Sequence, residues 1–345
     1  MKYHLYTNSR KTWDALLKAI TKAQSSIYIE MYIFLEDTFE SHDFITKLIA
    51  KAKAGVEIVI VADALGSFTL KKETIELLRT AGVEVLFFSD FWRRTHRKIV
   101  IIDNRIAFIG GVNIEKKTIN WDDIQIKLEG RTTVLAILRS FAHIYKMCGG
   151  KKNSILNHYK EGMLKKAKSL VLQNLPGHGD YALKSYYQDR LLKAQKSIKI
   201  ITPYFIPPRW LLALLDDAVR RGVKVDIIFP ADTDIKILNK INYSSAAAAT
   251  RLGINLYARE VMNHGKVLII DEAEALIGSQ NFDTLSFEQN FEIGVFFRQK
   301  NLVEDLVKIF DDWQKKSKNF ETLNIKLNWL DRLKIAILRL FLFIL

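Results

Sequence analysis

The chain repeats itself, and this duplication constrains its fold more than any other feature. The segment "KAQSSIYI" at 22–29 returns as "KAQKSIKI" at 193–200, and "KAGVEIVIVAD" at 53–63 returns as "RRGVKVDIIFPAD" at 220–232. Likewise "AGVEVLFF" at 81–88 matches "LGINLYAR" at 252–259, and "HRKIVIIDNRIAFIGGVN" at 96–113 matches "HGKVLIIDEAEALIGSQN" at 264–281. The order is the same in both copies and each displacement is about 170 residues, which reads as duplication of a unit of roughly 150 residues, an ordinary domain size. The expected organisation is a first domain at 1–150, a second at 151–325 and a terminal segment at 326–345, with the connection in the Lys- and Gly-rich stretch 140–180.

Within each copy the hydrophobic period switches between that of a helix and that of a strand. "TWDALLKAITKAQ" and "FITKLIAKAKAGV" carry apolar residues at helical spacing, the second ending on a glycine. "SIYIEMYIF" reads as a strand, and "EIVIVAD" is a continuous apolar run of the kind buried on both faces. After a further helix, "TIELLRTAGV", and a short strand, "EVLFF", the motif strand "KIVII" turns tightly through Asp103-Asn104-Arg105 into "IAFIGG". Alternating elements of this kind predict an α/β fold, with a largely buried sheet between helices in each half. At 345 residues, 49% of them hydrophobic, the chain has ample material for such cores.

The most informative repeat is chemical. Each copy reads His-x-Lys, four residues, Asp, six residues, Gly-Gly or Gly-Ser, one residue, Asn. The first set is His96, Lys98, Asp103, Gly110, Gly111 and Asn113; the second is His264, Lys266, Asp271, Gly278, Ser279 and Asn281. On a strand His and Lys two apart point the same way, and an imidazole beside an ammonium is suited to meeting a phosphate. Phosphodiester exchange needs one group to attack phosphorus and another, on the opposite side, to supply a proton to the leaving oxygen. Neutral histidine can do either near physiological pH. Lys98, Lys266, Asn113 and Asn281 are suitable fixed donors for the charge that grows on the phosphoryl oxygens. Two half-sites facing each other across a pseudo-twofold axis would supply the full set.

A histidine in that role needs its other ring nitrogen held by an acceptor. Each half offers one at similar distance: Asp123, 27 residues after His96, and Glu292, 28 after His264. These are assigned as the orienting carboxylates. Asp103 and Asp271, at the junction of strand and turn, complete the motif and are expected to tie down the turn and the lysine rather than touch substrate. His4, His42, His143, His158 and His178 have no repeated context and read as surface or structural residues. A metal centre is disfavoured, because paired lysines repel a cation and no His/Cys cluster exists. With Cys148 as the only cysteine, no intrachain disulfide is possible and a reducing compartment fits.

The double His-x-Lys-(x4)-Asp pattern with its Gly-x-x-Asn tail resembles the phospholipase D superfamily over nearly the whole chain, from about residue 5 to 320. "IYIEMYIFLED", "ADALGS", "TPYFIPP", "NHGKVLIID" and "GSQNFDTLSFEQNFE" look like the bacterial cardiolipin synthases within it. The resemblance implies two phospholipase D-like α/β/α sandwich domains related by a pseudo-twofold axis, and no metal or cofactor. It implies attack by one histidine on the phosphate of phosphatidylglycerol with release of glycerol, then transfer from the phosphohistidine to the glycerol hydroxyl of a second lipid. By the same resemblance His96 is the nucleophile and His264 the general acid and then base; the pseudosymmetry leaves the reverse open. The usual Trp-Arg-Asp reads Trp121-Asp122-Asp123 here, and Gly111 stands opposite Ser279.

The net charge of +14 favours anionic partners, and the implied ones are phosphatidylglycerol, cardiolipin and an anionic membrane surface. A nuclease of the same superfamily would also suit the charge, but the flanking segments and the apolar 326–345 stretch, "KLNWLDRLKIAILRLFLFIL", speak against nucleic acid. That stretch reads as an interfacial helix with Trp329 and basic residues at headgroup depth, with a core helix as the plainer reading. The N-terminal twenty residues read as neither signal peptide nor membrane span. A peripheral protein on the cytoplasmic face of the inner membrane is the resulting expectation. Hydrolysis in place of transfer differs only in whether water takes the intermediate.

Overall fold

The computed structural model describes residues 2–159 and 171–323. The first half supplies β1 (Lys2–Asn8), β2 (Ser26–Met31), β3 (Glu57–Asp63), β4 (Glu84–Phe88), β5 (Lys98–Ile102), β6 (Ile106–Gly110) and β7 (Asp122–Glu129), in the spatial order β1-β7-β6-β5-β2-β3-β4. The second half supplies β8 (Val171–Leu175), β9 (Asp180–Tyr181), β10 (Ser197–Ile201), β11 (Phe205–Ile206), β12 (Lys224–Pro230), β13 (Asn255–Arg259), β14 (Val267–Ile270), β15 (Glu274–Gly278), β16 (Phe282–Asp283), β17 (Glu292–Phe297) and β18 (Ser317–Asn319). Its main sheet runs β18-β13-β12-β10-β14-β15-β17-β8-β9, while β11 and β16 pair separately. Without β18 and β9 at its edges, this order is that of the first sheet, strand for strand. The duplication read in the sequence is a duplication of topology.

Each half opens with parallel strands: β2, β3 and β4 in one, β10, β12 and β13 in the other. The motif strands β5 and β14 lie antiparallel beside β2 and β10. Their first residues therefore sit at the carboxyl ends of the parallel strands, where open α/β sheets gather their ligand sites. The apolar runs explain the placement: all five residues of β5 and all four of β14 are buried.

The helices form three layers. On the outer face of the first sheet, α1 (Ser9–Lys22), α2 (Phe44–Lys53) and α3 (Lys72–Thr80) bury Trp13, Leu16, Phe44, Leu48 and Leu78. Next along the chain come α4 (Arg131–Met147) and the short α5 (Asn153–Leu156). The outer face of the second sheet carries α6 (Ala182–Lys193), α7 (Arg209–Arg220) and α8 (Lys236–Thr250), followed by α9 (Thr284–Glu288) and α10 (Lys300–Lys315). One continuous central core joins Ile99, Ile109 and Ile126 of the first sheet to Ile269, Ile277 and Val295 of the second through α4 (Leu138, Phe141) and α10 (Leu306, Phe310). The halves thus share their inner layer. Arg259 of β13 reaches across to Asp122 of β7 with its Nε at 2.8 Å and lies over the Trp313 ring at 4.9 Å. Asp122, which departs from the Trp-Arg-Asp pattern, is therefore one partner of an ion pair between halves.

The segment 326–345, read above as membrane-associating, lies outside the described residues, as do residues 160–170 of the Lys- and Gly-rich connection. Among the described residues no helix is long and apolar enough to cross a membrane.

The motif aspartates hold the turns. Asp103 and Asn104 both have φ of 51°, and Asp271 and Glu272 have φ of 53° and 52°, the left-handed geometry of a type I′ hairpin turn. The Asp103 carboxylate accepts the backbone N–H groups of Gln24, Ser25 and Ser26 at 2.7–3.1 Å and the Ser25 hydroxyl at 2.9 Å. Asp271 does the same for Gln195, Lys196 and Ser197 at 2.7–3.1 Å. One part of the expectation is corrected: neither aspartate holds its motif lysine, because Lys98 and Lys266 lie at the opposite end of the strand, and seven residues of extended chain put Asp103 about 23 Å from His96. Replacement of Asp103 by alanine is expected to cost about 2 kcal/mol, since it strips charge-assisted bonds from three N–H groups. Denaturant titration would measure that loss, and turnover per folded molecule should stay at the parent level.

Candidate active site

His96 and His264 line one cavity of about 450 Å³, together with Asn113 and Asn281. The two copies of the motif, 168 residues apart in the chain, therefore meet. The backbone explains how. The segment before β5 pairs with the segment before β17: His96 N–H donates to the Phe291 carbonyl at 3.0 Å and Phe291 N–H to the Arg94 carbonyl at 2.8 Å. The mirror pairing has His264 N–H on the Asp122 carbonyl at 2.7 Å and Asp122 N–H on the Met262 carbonyl at 3.0 Å. Each histidine is thereby seated beside the start of the strand that carries the other half's carboxylate, Glu292 in β17 and Asp123 in β7.

The ring contacts follow from this exchange. His96 Nδ1 lies 2.9 Å from Glu292 Oε1, and His264 Nδ1 lies 2.8 Å from Asp123 Oδ2. Both carboxylates identified in the sequence orient a histidine. Counting each from the histidine of its own half gave the wrong pairing, because the partners are crossed. With Nδ1 engaged, Nε2 of each imidazole is the nitrogen left for chemistry.

The half-sites differ in how the carboxylate is anchored. Glu292 accepts the Ser279 hydroxyl on Oε2, and Ser279 Oγ in turn accepts the Ile293 N–H at 3.1 Å. Asp123 accepts the N–H of Ile124 on Oδ1 at 2.7 Å. Gly111, the counterpart of Ser279, has no room for any side chain, because a Cβ there would lie 2.2 Å from Asp123 Oδ1. Gly111→Ala is therefore expected to push Asp123 aside and tilt His264, lowering turnover about 100-fold, the scale that a misplacement of about 1 Å carries. Rates of the variant against the parent, with circular dichroism as the folding control, test this.

Burial sets the electrostatics. All six groups, His96, His264, Lys98, Lys266, Asp123 and Glu292, are buried. Desolvation and then the Lys98 ammonium hold His96 down to about 4 against the opposing pull of Glu292. Desolvation, then Lys266 and Lys98, hold His264 well below its usual value. Lys266 is lowered to about 8 by burial, and Lys98 falls well below its ordinary range through burial and then Lys266. Burial pushes Asp123 up to about 7, with Lys266, the Ile124 N–H and Lys98 pulling the other way. The site is short of negative charge, so an arriving phosphodiester would favour the cationic lysines and a protonated imidazole.

Lys98 and Lys266 do not line the cavity wall. Each is buried and donates to the carbonyl of its own motif histidine, at 2.7 Å and 2.6 Å. Asn113 and Asn281 are the motif donors that do face the cavity; the carbonyl end of each amide is buried and unpartnered. Trp13 Nε1 holds the backbone carbonyl of Asn113 at 2.8 Å, and the Ser286 hydroxyl accepts the Asn281 N–H at 3.0 Å.

Tyr32, Trp121 and Arg97 have no role assigned from the sequence. Tyr32, just past β2, meets the His96 ring edge-on at 4.8 Å and lies 4.9 Å from Lys98 Nζ. Trp121 packs on His264 at 5.3 Å. Arg97, between the motif His and Lys, pairs with Glu30 at 3.2 Å, both fully buried. Strand alternation was the available signal for this pair: residue 97 must face away from 96 and 98, into an apolar sheet face where a charge requires a partner. Tyr204 of the "TPYFIPP" segment lines the cavity and donates to Asp234.

Comparison with known proteins agrees with this geometry. The family described as cardiolipin synthase, PLD-like domain, matches residues 16–145 and 187–313. The chain is 30% identical over 338 residues to cardiolipin synthase 1 of Bacillus anthracis, a match that covers 89% of this chain and 65% of that protein. It is 30% identical over 368 residues to a probable cardiolipin synthase of Bacillus subtilis, covering 97% of this chain and 70% of that protein. The chain thus spans about two thirds of the length of these relatives. Phosphatidylserine synthase of Haemophilus influenzae has the same fold, with a TM-score of 0.78 at 15% identity over 98% of this chain and 92% of that one. A polyphosphate kinase of Porphyromonas gingivalis matches with a TM-score of 0.65 at 14% identity, over 98% of this chain and 53% of that one.

Proposed function

The chain belongs to the cardiolipin synthase family of phospholipase D-like proteins, and from that premise we propose that it transfers a phosphatidyl group from one phosphatidylglycerol to another. The observation that carries the reading is the pair of buried histidines in one cavity, each with Nδ1 on a buried carboxylate. His96 Nε2 attacks phosphorus, the bond from phosphorus to the glycerol oxygen breaks, and His264 gives that oxygen a proton. Glycerol leaves. The hydroxyl of a second phosphatidylglycerol then loses its proton to His264 as its oxygen displaces His96, which yields cardiolipin and regenerates the site.

The difference between the carboxylates supports this division of roles. Glu292 accepts on both oxygens, which keeps the proton on His96 Nδ1 and the lone pair on Nε2 free. In the His264 pair, burial raises Asp123 toward neutrality, so the pair retains a proton for the leaving oxygen. The motif asparagines receive the phosphoryl oxygens, and the buried motif lysines supply positive charge. Lipid substrates require action at a membrane surface, and the proposed one is the cytoplasmic face of the inner membrane.

Purified full-length protein with vesicles of phosphatidylglycerol tests the reading. Mass spectrometry is expected to find cardiolipin and free glycerol. Phosphatidate as the sole lipid product would make the protein a hydrolase, and cleavage of DNA without any lipid product would overturn the proposal.

A further inference from the structure

We propose that the mouth of the active-site cavity is itself a membrane-docking face, formed by three apolar-tipped loops drawn from both halves. The inference rests on the phosphatidyl-transfer reading for the nature of the substrate. Among the described residues eleven large apolar side chains are exposed. Six of them, Leu65, Phe68, Phe91, Trp92, Ile235 and Ile237, lie on three segments that reach this one opening, the last at the start of α8, which is a clustering and not the scatter normal for a surface. Trp92, Ile235 and Ile237 line the cavity directly. Phe91, 81% exposed, packs edge-on against Trp92 at 4.7 Å. The loop bearing Leu65 and Phe68 is anchored to the site, because Gly66 lies so close to Tyr32 that a Cβ would be 2.3 Å from its carbonyl oxygen. Asp63, at the base of that loop, accepts the Thr95 N–H beside His96 at 2.8 Å.

The occupant follows from chemistry. Each loop sets basic residues beside its apolar tip: Lys71 and Lys72 after Phe68, Arg93 and Arg94 after Trp92, and Lys236 between Ile235 and Ile237. Aromatic and aliphatic tips with Lys and Arg immediately behind them match the boundary between acyl chains and anionic headgroups. Lys71, Arg93 and Lys236 have acidic neighbours, but each pair keeps its basic partner at least partly exposed and the Lys71 and Arg93 pairs are long, at 3.9 and 3.7 Å, so a charged bilayer can compete for the cations. A bilayer also accounts for the position of the apolar rim. A phospholipid whose phosphate sits between His96 and His264 must pass its acyl chains out through that opening, and the loops meet them there.

Phe68→Ser/Phe91→Ser provides the test, since neither residue lines the cavity. Affinity for phosphatidylglycerol vesicles is expected to fall on the order of tenfold or more, and turnover of vesicle lipid should fall with it. Turnover of a short-chain phosphatidylglycerol, monomeric in solution, should stay at the parent rate. A second measurement uses vesicles with brominated acyl chains: quenching of tryptophan emission should be present in the parent chain and diminished in Trp92→Phe, any remainder belonging to other tryptophans such as Trp329. Unchanged vesicle affinity in the double variant, or undiminished quenching in Trp92→Phe, would overturn the docking face. A parent chain that docks through these loops yet yields no lipid product would instead sink the transfer reading and leave the docking face standing.

Discussion

Replacement of His96 by alanine is expected to lower turnover of phosphatidylglycerol about 10⁴-fold or more while the chain stays folded. The step removed is formation of the bond to phosphorus, and nothing else in the cavity can take it over. Lys98 is buried and committed to the His96 carbonyl, and His264 is assigned the opposite, proton-giving role. Loss of an attacking side chain leaves only what binding and electrostatic stabilisation supply. The structural cost is local. Glu292 loses one donor but keeps the Ser279 hydroxyl, so stability should drop by about 1–3 kcal/mol. Labelled lipid assays and thermal unfolding read the two effects separately. A variant within tenfold of the parent rate would refute attack by His96.

Glu292→Gln is expected to lower turnover by about 10³–10⁴-fold, the scale seen when a carboxylate that fixes a catalytic tautomer becomes an amide. The amide turns its NH₂ toward His96 Nδ1, the ring proton moves to Nε2, and the lone pair needed for attack is lost. Because the pairing is crossed, this change in the second half disables the histidine of the first. A covalent adduct at His96, sought by mass spectrometry of the intact protein after brief exposure to substrate, should be absent in Glu292→Gln. An adduct of parental abundance there would show that Glu292 does not govern His96.

Much of this site was legible from the sequence because the duplication doubles every signal. One His-x-Lys at a strand start says little; two with the same Asp, Gly and Asn spacing single out the strands, the hairpin turns and the histidines and asparagines that meet in one cavity. Asp123 and Glu292 were found the same way. What linear spacing does not encode is which half each carboxylate serves. That depends on the ladders between His96 and Phe291 and between His264 and Asp122, contacts between residues more than 140 positions apart. The shared inner layer was hidden for a related reason. The periodicity of α4 marks an apolar face, but nothing local says that the face will pack beside α10 as well as on its own sheet. Tyr32 and Trp121 carried no repeated context, and only the closed structure brings them onto the rings.

The crossed carboxylates bear on how such a chain could arise. A lone copy of the repeat would hold a histidine without an acceptor and an acceptor without a histidine, so a one-copy ancestor had to work as a self-complementary pair of identical subunits, each completing the other. Joining the two into one polypeptide released them from identity. Ser279 against Gly111, and a glutamate against an aspartate, are differences that only a fused pair can keep.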